Sequence, residues 1–225
     1  MPVVTPEFQR ARSPEHKEQR RAAILAAARE LATRDGVRTV TLGDIAAQVD
    51  VHKSALLRYF ETREEIYLQL TADSWRDWAD AVRAALPGAR PTPAGVAAVL
   101  TATLVARPLF CDLLAHAPLN LERHVSLAAV RAFKLESLRI VGEIAELLTI
   151  ALPSLGPTGG RKAIAAVNAF AAAFWQVSHP PEALAEVYRE NPELGHSVLD
   201  FAGRLEDLTT AVLIGLVVPS ITAQS

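Results

Sequence analysis

Apolar residues recur at spacings of three and four along most of the chain, and no stretch alternates polar with apolar over the length of a strand. That pattern predicts helices throughout. The first runs from about Lys17 to Arg34 and stops at Asp35-Gly36, where glycine serves as the C-terminal stop. Thr41 can cap the next helix. Asp44, three residues on, makes a capping-box-like start, and Ile45, Ala46 and Val49 supply an apolar face. Asp50-Val51 then turns the chain, with Val51 inward. A further helix over Lys53–Phe60 buries Ala55, Leu56 and Tyr59 or Phe60, and shows Lys53, Ser54, Leu57 and Arg58 outward.

Prolines and glycines divide the remainder. A helix beginning near Glu64 reaches Leu86 and is broken by Pro87-Gly88, and a loop at Arg90-Pro91-Thr92-Pro93 precedes a helix over about Ala94–Val105. Pro108 suits the first turn of a short helix, Leu109–His116, that ends at Ala117-Pro118. The segment from about Leu121 to Leu152 places Leu127, Val130, Leu138, Val141, Ala145 and Leu148 on one stripe, and Pro153–Gly160 ends it. A helix over Arg161–Ser178 stops at His179-Pro180-Pro181. The connection Pro181–Ser197 holds one short helix, Glu182–Glu190, before a last helix, Val198–Val217, with Val198, Phe201, Leu205, Leu208 and Val212 in register. The fold class is all-α.

With 225 residues, 50% of them hydrophobic, the chain can bury a substantial core. Its net charge of −2 does not announce a nucleic-acid binder, but the charge is unevenly spread. Met1–Leu70 holds 11 Lys/Arg against 10 Asp/Glu, and the rest holds 12 against 15. An arm carrying Arg10, Arg12, Lys17, Arg20 and Arg21 against Glu15 and Glu18 can reach phosphates or a minor groove. The single cysteine, Cys111, excludes an internal disulfide and fits a reducing cytoplasm. No apolar stretch follows the first residues, as expected without a signal peptide, and the longest weakly polar run, Ala163–Val177, is too short to span a membrane.

The helix pair within Val40–Tyr67 is too short to make a core of its own, but it can present one helix to a major groove about 12 Å wide. It reads as a helix-turn-helix. Arg21–Leu70 resembles the DNA-binding domain of TetR-family transcriptional regulators. The resemblance is carried by Ile24-Leu25-Ala26-Ala27-Ala28, Leu31, Gly36, Val40-Thr41-Leu42, Asp44-Ile45-Ala46, Val51, Lys53-Ser54, Leu56, Tyr59-Phe60 and Arg63-Glu64-Glu65. Two positions depart from the family pattern. Asp50 replaces the usual glycine of the turn, and His52 stands where Ser or Thr is common, predicting a weaker cap on the recognition helix.

The residues and the resemblance together give a division into a basic-leaning arm (residues 1–15), a three-helix head (16–63), and a larger helical body for ligand binding and dimerisation (64–225). Lys53, Ser54, Ala55, Leu57 and Arg58 are the expected base-facing or phosphate-facing groups of the recognition helix. Tyr59, Thr41 and His52 are expected at phosphates, and the resemblance adds Arg63 as a basic phosphate contact.

Two late helices are apolar around more than one stripe, so each either fills the protomer core or is shared with a partner. The resemblance implies a homodimer closed by Ile164, Val167, Ala171, Phe174, Phe201, Leu205, Leu208 and Val212, and hence a near-palindromic operator. It also implies a body cavity for a small effector. Candidate lining residues are the bulky or lone polar groups Trp75, Trp78, Phe110, His116, Asn120, His124, Phe133, Asn168, Phe174, Trp175 and Gln176.

The implied function is a cytoplasmic, nucleoid-associated repressor, released from double-stranded operator DNA by a small hydrophobic ligand. The alternative is a ligand-independent or architectural DNA binder whose body is only a dimer scaffold. No cofactor is expected, and Cys111, His116 and His124 lack the spacing of a metal site. An enzyme is disfavoured: the body carries no Gly-x-Ser-x-Gly, no Gly-rich phosphate loop and no His-Glu-x-x-His.

Overall fold

A computed structural model describes residues 14–197 and 200–217. Arg10 and Arg12 of the basic arm, the side chain of Asn120, and Val198 of the last predicted helix lie outside the described residues. Among those described, ten α-helices follow one another and there is no strand.

Three helices form the N-terminal head: α1 (Pro14–Asp35), α2 (Leu42–Gln48) and α3 (Lys53–Leu56). Local chemistry sets each boundary. Gly36 takes φ 84° and returns its N–H to the Ala32 carbonyl at 2.9 Å, closing α1. Thr41 and Asp44 make a full capping box: the Asp44 N–H donates to Thr41 Oγ1 at 3.2 Å, and the Thr41 N–H donates to the Asp44 carboxylate at 2.8 Å. The Thr41 hydroxyl, which donates to the Asp44 carboxylate at 2.7 Å, and then the Thr41 N–H hold that carboxyl below its ordinary range. At the other end of α2, Val51 N–H reaches the Ala46 carbonyl and Asp50 N–H the Ala47 carbonyl, with Asp50 at φ 51°. This is a Schellman stop with aspartate in the left-handed position that usually takes glycine. α3 is shorter than its sequence predicts. After Leu56 the chain winds through tighter turns, Arg58 N–H to Ala55 O and Tyr59 N–H to Leu56 O, up to the buried Phe60. Ile24, Ala28 and Leu31 of α1 meet Ile45 and Ala46 of α2, with Leu56 and Phe60 completing the core.

The long helix α4 (Arg63–Ala85) joins head to body, and Thr62 caps it by accepting the Glu65 N–H at 3.0 Å. The body continues with α5 (Pro93–Val105), α6 (Pro108–His116), a wide turn over Ala117–Leu121, α7 (Leu127–Ala151), α8 (Gly156–Ser178), α9 (Glu182–Glu190) and α10 (Phe201–Val217). Arg76 pairs with Glu136 and Arg83 with Glu143. Both members of the second pair lie seven residues after those of the first, so α4 and α7 run parallel. Arg139 binds both glutamates, and its hydrogen bond, with help from Arg76, pulls the Glu136 carboxyl down to about 2. These groups are exposed enough that the ladder sets register more than it stabilises. α10 packs between α5 and α8, while α8 also lies against α6 and α7.

Two body expectations shift. The α7 stripe is rotated: Phe133, Ile140, Ile144 and Leu148 are its buried line, whereas Leu127 is 89% exposed and Leu138 59%. α8 starts at Gly156, so the predicted break at Pro153–Gly160 covers only a short turn, Pro153–Leu155. Pro157 lies in the first turn of α8, where its missing N–H costs nothing.

Gly160 explains how α7 and α8 come so close. A Cβ built there would sit 2.7 Å from the Ala145 carbonyl oxygen of α7. An exposed helical Gly→Ala change ordinarily stabilises by about 1 kcal/mol. Gly160→Ala should instead destabilise by about 1–3 kcal/mol, because the helices must part. Urea unfolding of the variant measures the sign directly, and an unchanged or raised midpoint would refute the close contact.

Candidate nucleic-acid interface

The second and third helices of the head leave one surface open to solvent. Lys53, Ser54, Leu57 and Arg58 are exposed on it, with Leu57 at 42%, while Ala55 and Tyr59 are half-buried. An exposed leucine among polar residues has no packing role in the protomer. A histidine caps α3: His52 Nδ1 accepts the Ser54 N–H at 3.3 Å and lies 2.9 Å from its hydroxyl. Accepting at Nδ1 leaves the ring proton on Nε2, where an exposed side chain can donate it outward. Thr41 stays at the surface at the mouth of α2.

The N-terminal half of α1 comes alongside. His16, Lys17, Gln19 and Arg20 border a cleft of about 590 Å³ that is closed on its other side by Arg58 and Tyr59. Lys17 and Arg20 thus belong to the same basic surface as the recognition helix. The basic excess of the arm pointed to phosphates in the sequence, but it does not say against which element Lys17 and Arg20 lie. Arg21, their neighbour, turns inward to donate to the Tyr59 carbonyl, and its guanidinium lies 4.2 Å from the centroid of the Phe60 ring.

Arg63 corrects the expectation for it. Its guanidinium donates to the carbonyls of Val37 and Val40, pairs with Glu64, and lies 4.7 Å from the centroid of the Tyr67 ring. Only 21% of its side chain is exposed. It ties the first turn of α4 to the loop between α1 and α2, because that loop presents two carbonyls without helical partners.

The candidate ligand residues of the body separate into groups. Trp75, Trp78 and Phe110 pack edge-on, with centroids 5.3 to 5.8 Å apart, and Trp78 Nε1 donates to Thr103 Oγ1 at 3.0 Å. They form packed core between α4 and α6. Phe133 is buried at a groove of about 270 Å³ between α4 and α7, while His124 is exposed. Phe174 stacks on Phe170, and Trp175 on His179 and Phe201. Asn168 keeps a buried Oδ1 with no hydrogen-bond partner, a state that costs about 1–3 kcal/mol. Gln176 and His116 both turn to Asp112: Gln176 Nε2 donates to Oδ1 at 3.1 Å, and His116 Nε2 lies 3.5 Å from the same oxygen.

The proposed dimer residues also divide. Ile164, Val167, Ala171 and Leu205 are completely buried inside the protomer and cannot meet a second copy. Both helices are apolar on more than one face, and α5, α6, α7 and α10 claim the bulkier one. Phe174, Phe201 and Val212 are half-buried. The outward faces carry Ala165, Ala169, Ala173 and Val177 on α8, and Leu208, Ala211 and Ile214 on α10. Among the described residues, no single helix is long and apolar enough to cross a membrane.

Comparison with known proteins places this arrangement. Residues 24–70 match the family model for bacterial regulatory proteins of the tetR family, and residues 72–220 match that for the tetracyclin repressor-like C-terminal domain. A comparison with curated protein sequences finds no match. Among solved structures, a possible TetR family transcriptional regulator from Streptomyces coelicolor A3(2) is similar in fold, with 21% identity, coverage of 87% of this chain and 98% of that one, and a TM-score of 0.59. A TetR transcriptional regulator from Rhodococcus sp. RHA1 has 16% identity, coverage of 90% and 99%, and a TM-score of 0.55. Thermus thermophilus FadR, a TetR family transcriptional repressor in complex with lauroyl-CoA, has 19% identity, coverage of 86% and 93%, and a TM-score of 0.52.

The inward Arg63 and outward Lys53 should part company in stability measurements. Arg63→Ala should lower stability by about 1–3 kcal/mol, since two backbone carbonyls lose a charged donor. Lys53→Ala should stay within about 0.5 kcal/mol of the parent. Thermal melts of the two variants would contradict this assignment if Arg63→Ala were the neutral one.

Proposed function

This chain belongs to the TetR family of bacterial transcriptional regulators, and from that premise we propose that it is a homodimeric repressor that leaves a near-palindromic operator when a small hydrophobic ligand binds. The observation that carries the DNA half of the reading is the outward set Lys53, Ser54, Leu57 and Arg58, displayed on the capped helix α3 and the turns that follow it while Leu56 and Phe60 anchor the segment in the core. In this reading residues 16–63 are the head, 64–225 the body and 1–15 a basic arm, and the protein works in the cytoplasm at the nucleoid. Lys53 reaches a base edge or the first phosphates, Arg58 a guanine or a phosphate, and Leu57 and Ala55 a thymine methyl. Thr41, His52 and Tyr59 hold phosphates, joined by Lys17 and Arg20.

Dimerisation is assigned to the outward faces of α8 and α10. Alanines at 165, 169 and 173 let two helices approach closely, and Leu208 and Ile214 add apolar area that a lone protomer leaves wet. A two-fold pair of heads then requires half-sites about one turn of DNA apart or somewhat more. The effector half rests on Asn168, whose unpaired buried oxygen calls for a donor within an apolar body. The lauroyl-CoA bound by the Thermus thermophilus FadR neighbour gives the class of effector to try first. The packed trio Trp75, Trp78 and Phe110 favours the second reading, a body that serves only as a dimer scaffold. Release of bound DNA by acyl-CoA or other apolar ligands separates the two.

Selection of duplexes from a random library by the purified protein tests the operator reading. A palindromic motif is expected, and a pool without enrichment would count against it. On the selected duplex, Lys53→Ala should weaken binding about tenfold or more, and Tyr59→Phe should weaken it less. Affinity should fall steeply with salt, the slope reporting the phosphates neutralised. Equal affinity in both variants removes the recognition-helix assignment.

The revised dimer face makes its own prediction. Ile214→Glu should yield a folded monomer in sedimentation with helicity retained, whereas Val167→Glu should unfold the protomer because its site is sealed. A normally sedimenting Ile214→Glu dimer would move the interface elsewhere.

A further inference from the structure

The loop between α1 and α2 is gripped from two directions. From α4, Arg63 donates to the carbonyls of Val37 and Val40. From α6, the Asp112 carboxylate accepts the Val37 N–H at 2.8 Å through Oδ2. Val37 itself is 1% exposed, so its backbone groups depend on these two side chains. The other carboxylate oxygen of Asp112 faces the body. It accepts Gln176 Nε2 from the C-terminal end of α8 and lies near His116 Nε2 one turn along α6. Burial pushes the Asp112 carboxyl up, but the His116, Val37 and Gln176 contacts outweigh it and hold the group ionised below its ordinary range. A cleft of about 370 Å³ opens beside it, bordered by Gly36, Arg38, His116, Gln176 and His179.

One charged group therefore bonds a head backbone donor on one side and an α8 side chain on the other. A charge-assisted hydrogen bond is about twice as strong as a neutral one and is directional, so its two ends cannot shift independently. A change in the spacing of α6 and α8 that breaks the Gln176 bond removes one of the contacts that orient the carboxylate, and Val37 is the head residue whose acceptor it is. Val37 lies four residues before the Thr41 cap of α2, so the loop's position sets where α2 and the recognition helix sit.

We propose that Asp112 is the positioning residue that relays the packing of α6 and α8 to the DNA-reading head through the Val37 amide, as a second link beside α4. This rests on the DNA-binding reading above and names how the body acts on that surface. Gln176, whose hydrogen bond runs to Asp112, is the distal end of the relay.

Hydrogen–deuterium exchange on the full-length protein tests it, comparing peptides over residues 36–42 and 163–171 in wild type, Asp112→Asn, Asp112→Ala and Gln176→Ala. Exchange over 36–42 should rise about tenfold in Asp112→Ala. It should rise by less, but measurably, in Asp112→Asn and Gln176→Ala, while 163–171 keeps its protection. A purely structural aspartate would not pass the loss of Gln176 on to the head. Should Asp112→Ala unfold, the other two variants decide alone. Wild-type exchange over 36–42 in either Asp112→Asn or Gln176→Ala overturns the relay. The measurement needs no DNA, so failure to select an operator would sink the repressor reading and leave this result standing.

Discussion

The architecture depends on α4 remaining one unbroken helix packed along its length in a core that is continuous from head to body. Its first turns bury Ile66, Tyr67 and Leu70, and its later turns bury Trp75, Trp78 and Val82. A helix of 23 residues is about 35 Å long, and neither end can slide without disturbing packed side chains of the other. Interiors at near-crystalline density do not deform smoothly, so such a helix moves as a rod between discrete arrangements. The parallel ion-pair ladder to α7 fixes the rod against the body, and Arg63 fixes its tip against the head. The body contributes leverage as well as mass.

The head was legible in the sequence because its signals are local. The capping box of Thr41 and Asp44, the stop at Gly36, and the left-handed Asp50 each depend on residues within four positions of one another. The order of exposed and buried residues from Lys53 to Phe60 followed from spacing alone, even though only the first turn of that segment is a regular α-helix. His52 was read as a weaker cap than Ser or Thr, and its Nδ1 accepts the Ser54 N–H at 3.3 Å, longer than the 3.0 Å of the Thr62 cap. Arg63 was misdirected because its partners are carbonyls 23 and 26 residues away, which no local pattern reveals.

In the body, helix boundaries were legible and faces were not. Prolines and glycines mark α5, α6 and α9 to within a residue or two, because they act on the backbone directly. Periodicity gives the angle between apolar residues but not the neighbour that covers them. On α8 and α10 several faces are apolar, so Val167 and Ala169 were equally plausible as core or as interface. The fold sets Ile164 and Val167 inward with Ala163 and Ala171, while Ala165, Ala169 and Ala173 face out. The same ambiguity blurred the effector residues, since Trp75, Trp78 and Phe110 are as apt for lining a cavity as for filling one.

A signal from the body must change the energy of the head, and a ligand can shift that balance only by its differential affinity for two arrangements. Moving an equilibrium from 1:99 to 99:1 takes about 5.5 kcal/mol. A hydrogen bond to a charged group contributes about 1.5–3 kcal/mol, so the Asp112–Val37 contact of one protomer supplies about a quarter to a half of that. Alone it would bias the heads; added to the Arg63 contacts on the same loop it comes within range of a switch. The loop is held by α4 and α6 together, so a change in their spacing must strain one contact or the other, whereas a shift of both helices together with the head strains neither. The spacing of α6 from α4 and, through Gln176, its packing on α8 therefore both bear on the loop that leads into α2.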